Sequence, residues 1–312
     1  MKTGIVILSW EGAMDGVTPS SRDVIGLAQL CESVGLDSAW ITDHFYFDYS
    51  DLETVGVSLP EEMHGTKSGS WECWALVSAI AAVTERINIG TLVSATAFRN
   101  PSLLARSIDT IDDLSGGRLI VGLGAGDFPF EHESFGYPVD RPIARFEEAI
   151  QIISKLLKGQ EVTFSGEFYQ TRQAKLIPKG CRPNGPPLLV GSVYGRPRMT
   201  RLTVEYGDYW NCFLSFTQST VEAYREGWVK LQNACHERGR DPATIKRNVS
   251  ISVNMAKSPF PIPGAVPISG SADKIADSLA AFRDEGIEHS TVVLHPLTPT
   301  GIESFARAVE KM

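Results

Sequence analysis

This chain of 312 residues lacks most of the features that would commit it to a common chemistry. Its five cysteines, at positions 31, 73, 181, 212 and 235, include no CxxC pair. Their odd number and scatter argue against a disulfide framework and predict reduced, mostly buried thiols in a cytoplasmic protein. No apolar run is long enough to span a bilayer, and the first residues do not pair a basic stretch with an apolar one, so neither a membrane span nor a secretory signal is expected. Basic residues are the minority, 29 Lys and Arg against 37 Asp and Glu, and the formal charge of −8 argues against nucleic-acid partners and anionic membranes. The six histidines form no HxH or HExxH pair, and Glu131-His132-Glu133 reads as a polar loop, so no metal site is expected. A GxSxG elbow and a GxxxxGK phosphate loop are missing too, which makes a cofactor-free or metal-dependent hydrolase the weakest reading.

What is present is a repeated pattern. Hydrophobic content of 43% and charged content of 21% are those of a globular protein. Eight short runs rich in Val, Ile and Leu occupy residues 4–8, 38–41, 87–93, 119–123, 187–190, 209–213, 249–253 and 291–294, with amphipathic segments between them. The runs show little polar alternation, as expected of parallel strands covered on both faces. Intervening helices are what parallel pairing requires, and right-handed crossovers wind one way. The pattern predicts an α/β fold, a (β/α)8 TIM barrel forming a single domain over residues 1–312, with its chemistry at the C-terminal ends of the strands.

Local signals mark the helix ends. Asn100-Pro101 places a capping side chain before a proline and opens a helix running through Leu114. Ser219 with Glu222, and Thr300 with Glu303, have capping-box spacing. Trp71 and Trp74 are three apart and are expected to seal the packing face of one helix. Residues 45–70 and 128–141 leave the catalytic end of the barrel as long insertion loops and read as lids or substrate walls. Residues 162–164 and 168–170 read as a hairpin around Ser165-Gly166-Glu167.

Three strand ends carry candidate chemistry. Asp43-His44 follows the second strand, where a carboxylate beside an imidazole either orients a cofactor and moves a proton or simply caps backbone. Gly122-Leu-Gly124-Ala-Gly126-Asp127 ends the fourth strand. Its glycines suit a close approach by a planar ligand, Phe128-Pro129 stands where a dinucleotide fingerprint would begin a helix, and Asp127 is either a general acid or a solvated turn carboxylate. Gly191-Ser192 ends the fifth strand before Arg196-Pro197-Arg198, a plausible phosphate cradle or an ordinary solvated helix start. Trp10, Cys212 and His295 also lie near strand ends and read as packing residues.

Taken in order, the segments ITDHF (41–45), GTLVSATAFRNPSLLARS (90–107), GGRLIVGLGAGD (116–127), EHESFGYP (131–138), VTFSGEFY (162–169), PPLLVGS (186–192) and YGDYWN (206–211) resemble the bacterial luciferase-like superfamily of flavin and deazaflavin barrels. The Asp-His ending of the second strand resembles the branch that uses the deazaflavin coenzyme F420. The resemblance implies a hydride-transferring oxidoreductase in which Asp43 meets the ring's hydroxyl end and His44 lies near the reacting ring and substrate. It further implies a cis peptide at Leu92–Val93 behind the ring, phosphate contacts at Gly191 and Ser192, an acid at Asp127, and a homodimer. Asp48 stands where the sugar-phosphate enzymes of this branch carry tryptophan, which argues against glucose 6-phosphate as substrate. An FMN-dependent monooxygenase of the same fold, and a flavin-binding protein without turnover, are the alternatives.

Overall fold

The computed structural model describes residues 1–312 apart from Gly56, Ser58, residues 192–195 and Lys257. The barrel strands are β1 (Lys2–Val6), β2 (Ser38–Ile41), β3 (Asn88–Thr91), β4 (Leu119–Gly124), β5 (Leu188–Gly191), β6 (Tyr209–Phe213), β7 (Lys246–Asn254) and β8 (His289–His295). Each pairs in parallel with its successor, and β8 pairs back to β1, so the sheet closes without an edge. The predicted second and sixth strands match the observed limits; β1 begins and ends two residues earlier than expected.

The helices are α1 (Ser21–Ser33), α2 (Cys73–Val83), α3 (Pro101–Leu114), α4 (Pro129–Ser134), α5 (Pro142–Leu157), α6 (Pro197–Tyr206), α7 (Val221–Glu237), α8 (Ala272–Asp284) and α9 (Pro299–Val309). None of those described is long and apolar enough to cross a membrane. The α3 cap is as expected, with Asn100 Oδ1 accepting from the Ser102 and Leu103 N–H groups. Two other caps fall elsewhere. Thr220 rather than Ser219 caps α7, because the Ser219 hydroxyl accepts the Ser252 N–H of β7 at 2.9 Å. Thr298 caps α9 ahead of Pro299, which leaves Thr300 inside the helix. Trp71 lies before α2 rather than on its packing face; its ring is half exposed and its Nε1–H donates to the Pro19 carbonyl, so only Trp74 is buried.

The barrel interior is a mixed core. Trp40 fills its centre, and a Cβ at Gly90 on the neighbouring strand would stand 2.1 Å from the indole, so only glycine fits there. The Trp40 Nε1–H donates to Ser38 Oγ, which also shares a hydrogen bond with His289 Nε2 at 2.7 Å. The other ring nitrogen, Nδ1, finds no partner among the described residues. Burial, aided by the charges of Lys2 and the amino terminus, pushes the His289 imidazole down to about 3. The unfolded chain protonates this residue near pH 6.5, so stability falls as pH drops from there toward 3, by a ceiling of about 5 kcal/mol. His289→Gln should flatten the dependence of unfolding free energy on pH by about one proton between pH 6 and 4. Equal slopes for the two proteins in urea titrations would refute this account.

Above the strand ends the insertions form a roof. Within residues 45–70, Tyr46–Asp48 pairs antiparallel with Lys67–Gly69, and 3-10 turns at Tyr49–Val55 and Glu61–Met63 lie between the two strands. Phe47 and Leu52 from this insertion pack with Phe128 and Ile262 in a second apolar cluster separate from the barrel core. The predicted outer hairpin is present with its second strand displaced: Val162–Ser165 pairs with Gln170–Ala174 rather than with residues 168–170.

Candidate active site

The roof and the strand ends converge on His44. It sits just beyond β2, where its ring stacks on Phe128 at 4.7 Å between centroids and meets the edge of Phe47 at 5.9 Å. Its Nδ1 lies 2.9 Å from Glu131 Oε1, and Glu131 Oε2 accepts the Phe45 N–H at 3.0 Å. Glu131 is fully buried. An ionised carboxylate only accepts, so Nδ1 carries a proton and Nε2 is the nitrogen left for chemistry. Burial alone lowers the imidazole's pKa. The hydrogen bond and charge of Glu131, with Asp127 and Asp43 behind them, outweigh burial and raise it to about 9. At neutral pH His44 is an imidazolium.

Asp127 follows the glycine turn after β4. Desolvation by the surrounding protein raises its carboxyl above the ordinary value, with the charge of His44 opposing the rise and that of Glu131 adding to it. The side chain is exposed by solvent-accessible area, so water screens this shift and it is smaller than full burial would give. One ligand atom from each of His44, Asp127 and Glu131 lies within 4.8 Å of the others. That grouping would tolerate a cation, which histidine spacing in the sequence does not reveal. Both Glu131 oxygens are already engaged, however, so the trio is better suited to handling a proton than to coordination.

Sequence reasoning missed Glu131. The stretch expected to be a polar loop is helix α4, which starts at Pro129 and turns Glu131 inward. Phe128-Pro129, set against an immediate helix in the sequence, is where this helix begins, because proline is well suited to the first helical position. The usable signal was that proline, followed two residues later by a carboxylate.

Asp43 stands one step behind His44. Oδ2 accepts from Ser94 Oγ (2.9 Å), the Ala95 N–H (3.1 Å) and Arg99 Nη1 (2.6 Å), while Oδ1 accepts from Arg99 Nη2 (3.0 Å). Burial raises its carboxyl and the Arg99 guanidinium opposes that rise. Arg99 also pairs with Glu72, whose other oxygen caps α2 through the Ala75 N–H. The carboxylate therefore fastens the segment after β3 to the end of β2.

The Leu92–Val93 peptide beyond β3 is cis. Val93 lies against β4: a Cβ at Gly124 would stand 2.6 Å from its Cγ2, and one at Gly122 would stand 2.0 Å from the Thr91 carbonyl oxygen. These two glycines thus make room for the neighbouring strand end. At Gly191 an added Cβ would meet Val93 Cγ1 at 3.7 Å and Asn211 Oδ1 at 4.0 Å, ordinary van der Waals contacts among the described residues. Val93 and Gly191 are brought together as neighbours, while Ser192 lies outside the described residues. Arg198 is spent on Glu147 at the surface, and burial pushes the Cys212 thiol up to about 12, which leaves it inert.

Comparison with known proteins follows the same lines. A family profile described as luciferase-like monooxygenase matches residues 1–259. A 5,10-methylenetetrahydromethanopterin reductase of Archaeoglobus fulgidus is 31% identical over 180 residues, covering 58% of this chain and 46% of that protein. An F420-dependent glucose-6-phosphate dehydrogenase of Nocardia farcinica is 28% identical over 251 residues, covering 76% of this chain and 66% of that one. The chain thus spans about half to two thirds of the length of these curated relatives. Among solved structures, an F420-dependent secondary alcohol dehydrogenase in complex with an F420-acetone adduct superposes with a TM-score of 0.77 at 19% identity, covering 99% of this chain and 98% of that one, a likeness of fold.

Proposed function

Because the chain belongs to the luciferase-like monooxygenase family, we propose that it is an oxidoreductase dependent on coenzyme F420 that exchanges a hydride between the deazaflavin and an organic substrate. The observation that carries this reading is the His44–Glu131 pair, an imidazole held at Nδ1 by a buried carboxylate with Nε2 available at the mouth of a barrel. The surrounding residues fit a flat ring with a polar edge. Ser9 Oγ, beyond β1, and Thr42 Oγ1, beyond β2, are buried without partners among the described residues, and Asp43 Oδ1 accepts a single bond. Leu92 and Val93 offer an apolar surface beside Gly191, which carries no side chain. Ser192 completes the proposed coenzyme set.

The coenzyme, when bound, supplies the hydride chemistry. The chain's own task is orientation and proton handling. Glu131 holds Nδ1–H, so that Nε2 of His44 faces the reaction and gives a proton to a substrate being reduced. Asp127 is the second acid, reached through the same cluster. Glucose 6-phosphate is not the proposed substrate. Asp48 is consumed by the insertion itself, accepting from the Ser50 N–H and hydroxyl and from the Gly65 N–H.

Parallel fluorescence titrations of the purified protein with F420 and with FMN test the coenzyme assignment. Selective F420 uptake is the expected result, and selective FMN uptake would move the protein to oxygen-dependent chemistry. His44→Ala should lower turnover by about 100-fold or more, the usual scale for losing a general acid, while leaving coenzyme affinity nearly unchanged. Undiminished turnover would remove His44 from the mechanism.

A further inference from the structure

A cavity of about 190 Å³ opens beside the His44 cluster, between the segment after β1, the 45–70 insertion and the segment after β7. Its walls are Trp10, Phe47, Tyr49, Phe216, Phe260 and Ile262. Phe47 is common to this cavity and to the ring contacts of His44, so the chamber adjoins the proposed reaction centre. Its charged groups are few. Glu11 and Asp15 stand exposed at the rim, and His295 at the end of β8 contributes an imidazole bonded to Ser258 Oγ. Among the described lining residues there is no lysine or arginine.

Two physical consequences follow. An apolar cavity of about 150 Å³ is known to accept benzene, so this one accommodates a single six-membered ring with a small substituent. An anion would have to desolvate with no cationic partner among these residues and pass two carboxylates, in a chain whose formal charge is already −8. We infer that this cavity is the substrate pocket, and that it takes an uncharged or cationic organic molecule built on one apolar ring while rejecting anions such as sugar phosphates. Trp10 and His295, read from the sequence as packing residues, become part of substrate recognition. The inference rests on the proposed redox function for the word substrate; the binding chemistry stands on the cavity alone.

Benzyl alcohol, benzylamine and benzoate share one ring and differ in charge, and ligand-observed NMR on the purified protein ranks them. Benzyl alcohol and benzylamine should bind, with benzoate at least tenfold weaker. Glu11→Gln combined with Asp15→Asn should narrow that gap. Ile262→Trp and Ala13→Leu each fill the cavity from a different wall, and either folded variant should weaken benzyl alcohol at least tenfold. Benzoate binding as tightly as benzyl alcohol, or undiminished ring binding in the filled variants, overturns the inference. The F420 titration on the same sample separates the two failures. Ring binding without coenzyme uptake overturns the redox function and the substrate role with it. Coenzyme uptake without ring binding overturns the pocket alone.

Discussion

Replacing Glu131 with glutamine should drop the pKa of His44 from about 9 to near or below its ordinary value, and activity above neutral pH should fall with it. The variant is nearly isosteric, and the glutamine oxygen can still accept the Phe45 N–H that Glu131 Oε2 now accepts. What changes is the other end. An amide NH2 facing Nδ1 donates rather than accepts, which favours an imidazole unprotonated at Nδ1. Burial, the largest single influence on His44, then acts with less opposition. A pKa moved from about 9 to about 6.5 cuts the protonated fraction at pH 8 roughly thirtyfold. The same shift carries a stability consequence. A histidine raised by its partner stabilises the fold fully below its unfolded pKa of about 6.5, and that contribution is lost as pH climbs through about 9. NMR titration of labelled imidazoles, with His44→Ala to assign the signal, measures the shift directly, and turnover against pH measures its effect. A His44 signal that still titrates near 9 in Glu131→Gln would remove Glu131 from its assigned role.

The second large effect concerns the frame. Arg99→Leu should destabilise the protein by about 3–5 kcal/mol, the usual cost of removing one partner from a buried ion pair. The deleted guanidinium supplies two of the four hydrogen bonds to Asp43 and the tie to Glu72. Asp43 would keep only the Ser94 hydroxyl and the Ala95 N–H, in a site that water does not reach. An unpaired buried carboxyl has a folded pKa above its unfolded value of about 3.9, so the penalty grows as pH rises beyond that value and shrinks in acid. Urea unfolding should therefore show the variant closer to the parent at pH 4.5 than at pH 8. Asp43→Asn in the same chain removes the charge and should recover part of the loss, a coupling characteristic of contacting residues. Losses that simply add in the double variant, with no pH dependence, would contradict the arrangement. Coenzyme affinity should fall in Arg99→Leu as well, because the pair secures Ser94 and Ala95 directly after the cis Leu92–Val93 bond.

Much of this protein is legible in one dimension. The barrel is written in eight apolar runs separated by amphipathic helices, because parallel strands must be covered on both faces and connected by crossovers. Asp43, His44 and Asp127 could be singled out because a barrel presents its strand ends together, and all three follow strand ends. Caps were readable only to within a residue or two. Ser219 has the right chemistry and spacing for α7, but its hydroxyl is taken by Ser252, which is 33 residues away in the chain.

Tertiary structure alone decided who serves His44. Glu131 is 87 residues distant and touches it only because the β2 and β4 ends approach each other within the closed barrel and α4 turns the carboxylate inward. Arg99 is 56 residues from Asp43 and makes this candidate ligand a structural anchor as well. The aromatic cavity has the same origin, since its walls come from segments after β1, β2, β6 and β7 that share no sequence pattern. Periodicity is a local property, set by how each residue faces its own helix or sheet. A pKa, an ion pair or a pocket is set by which distant groups share one low-dielectric space, and only the closed fold determines that.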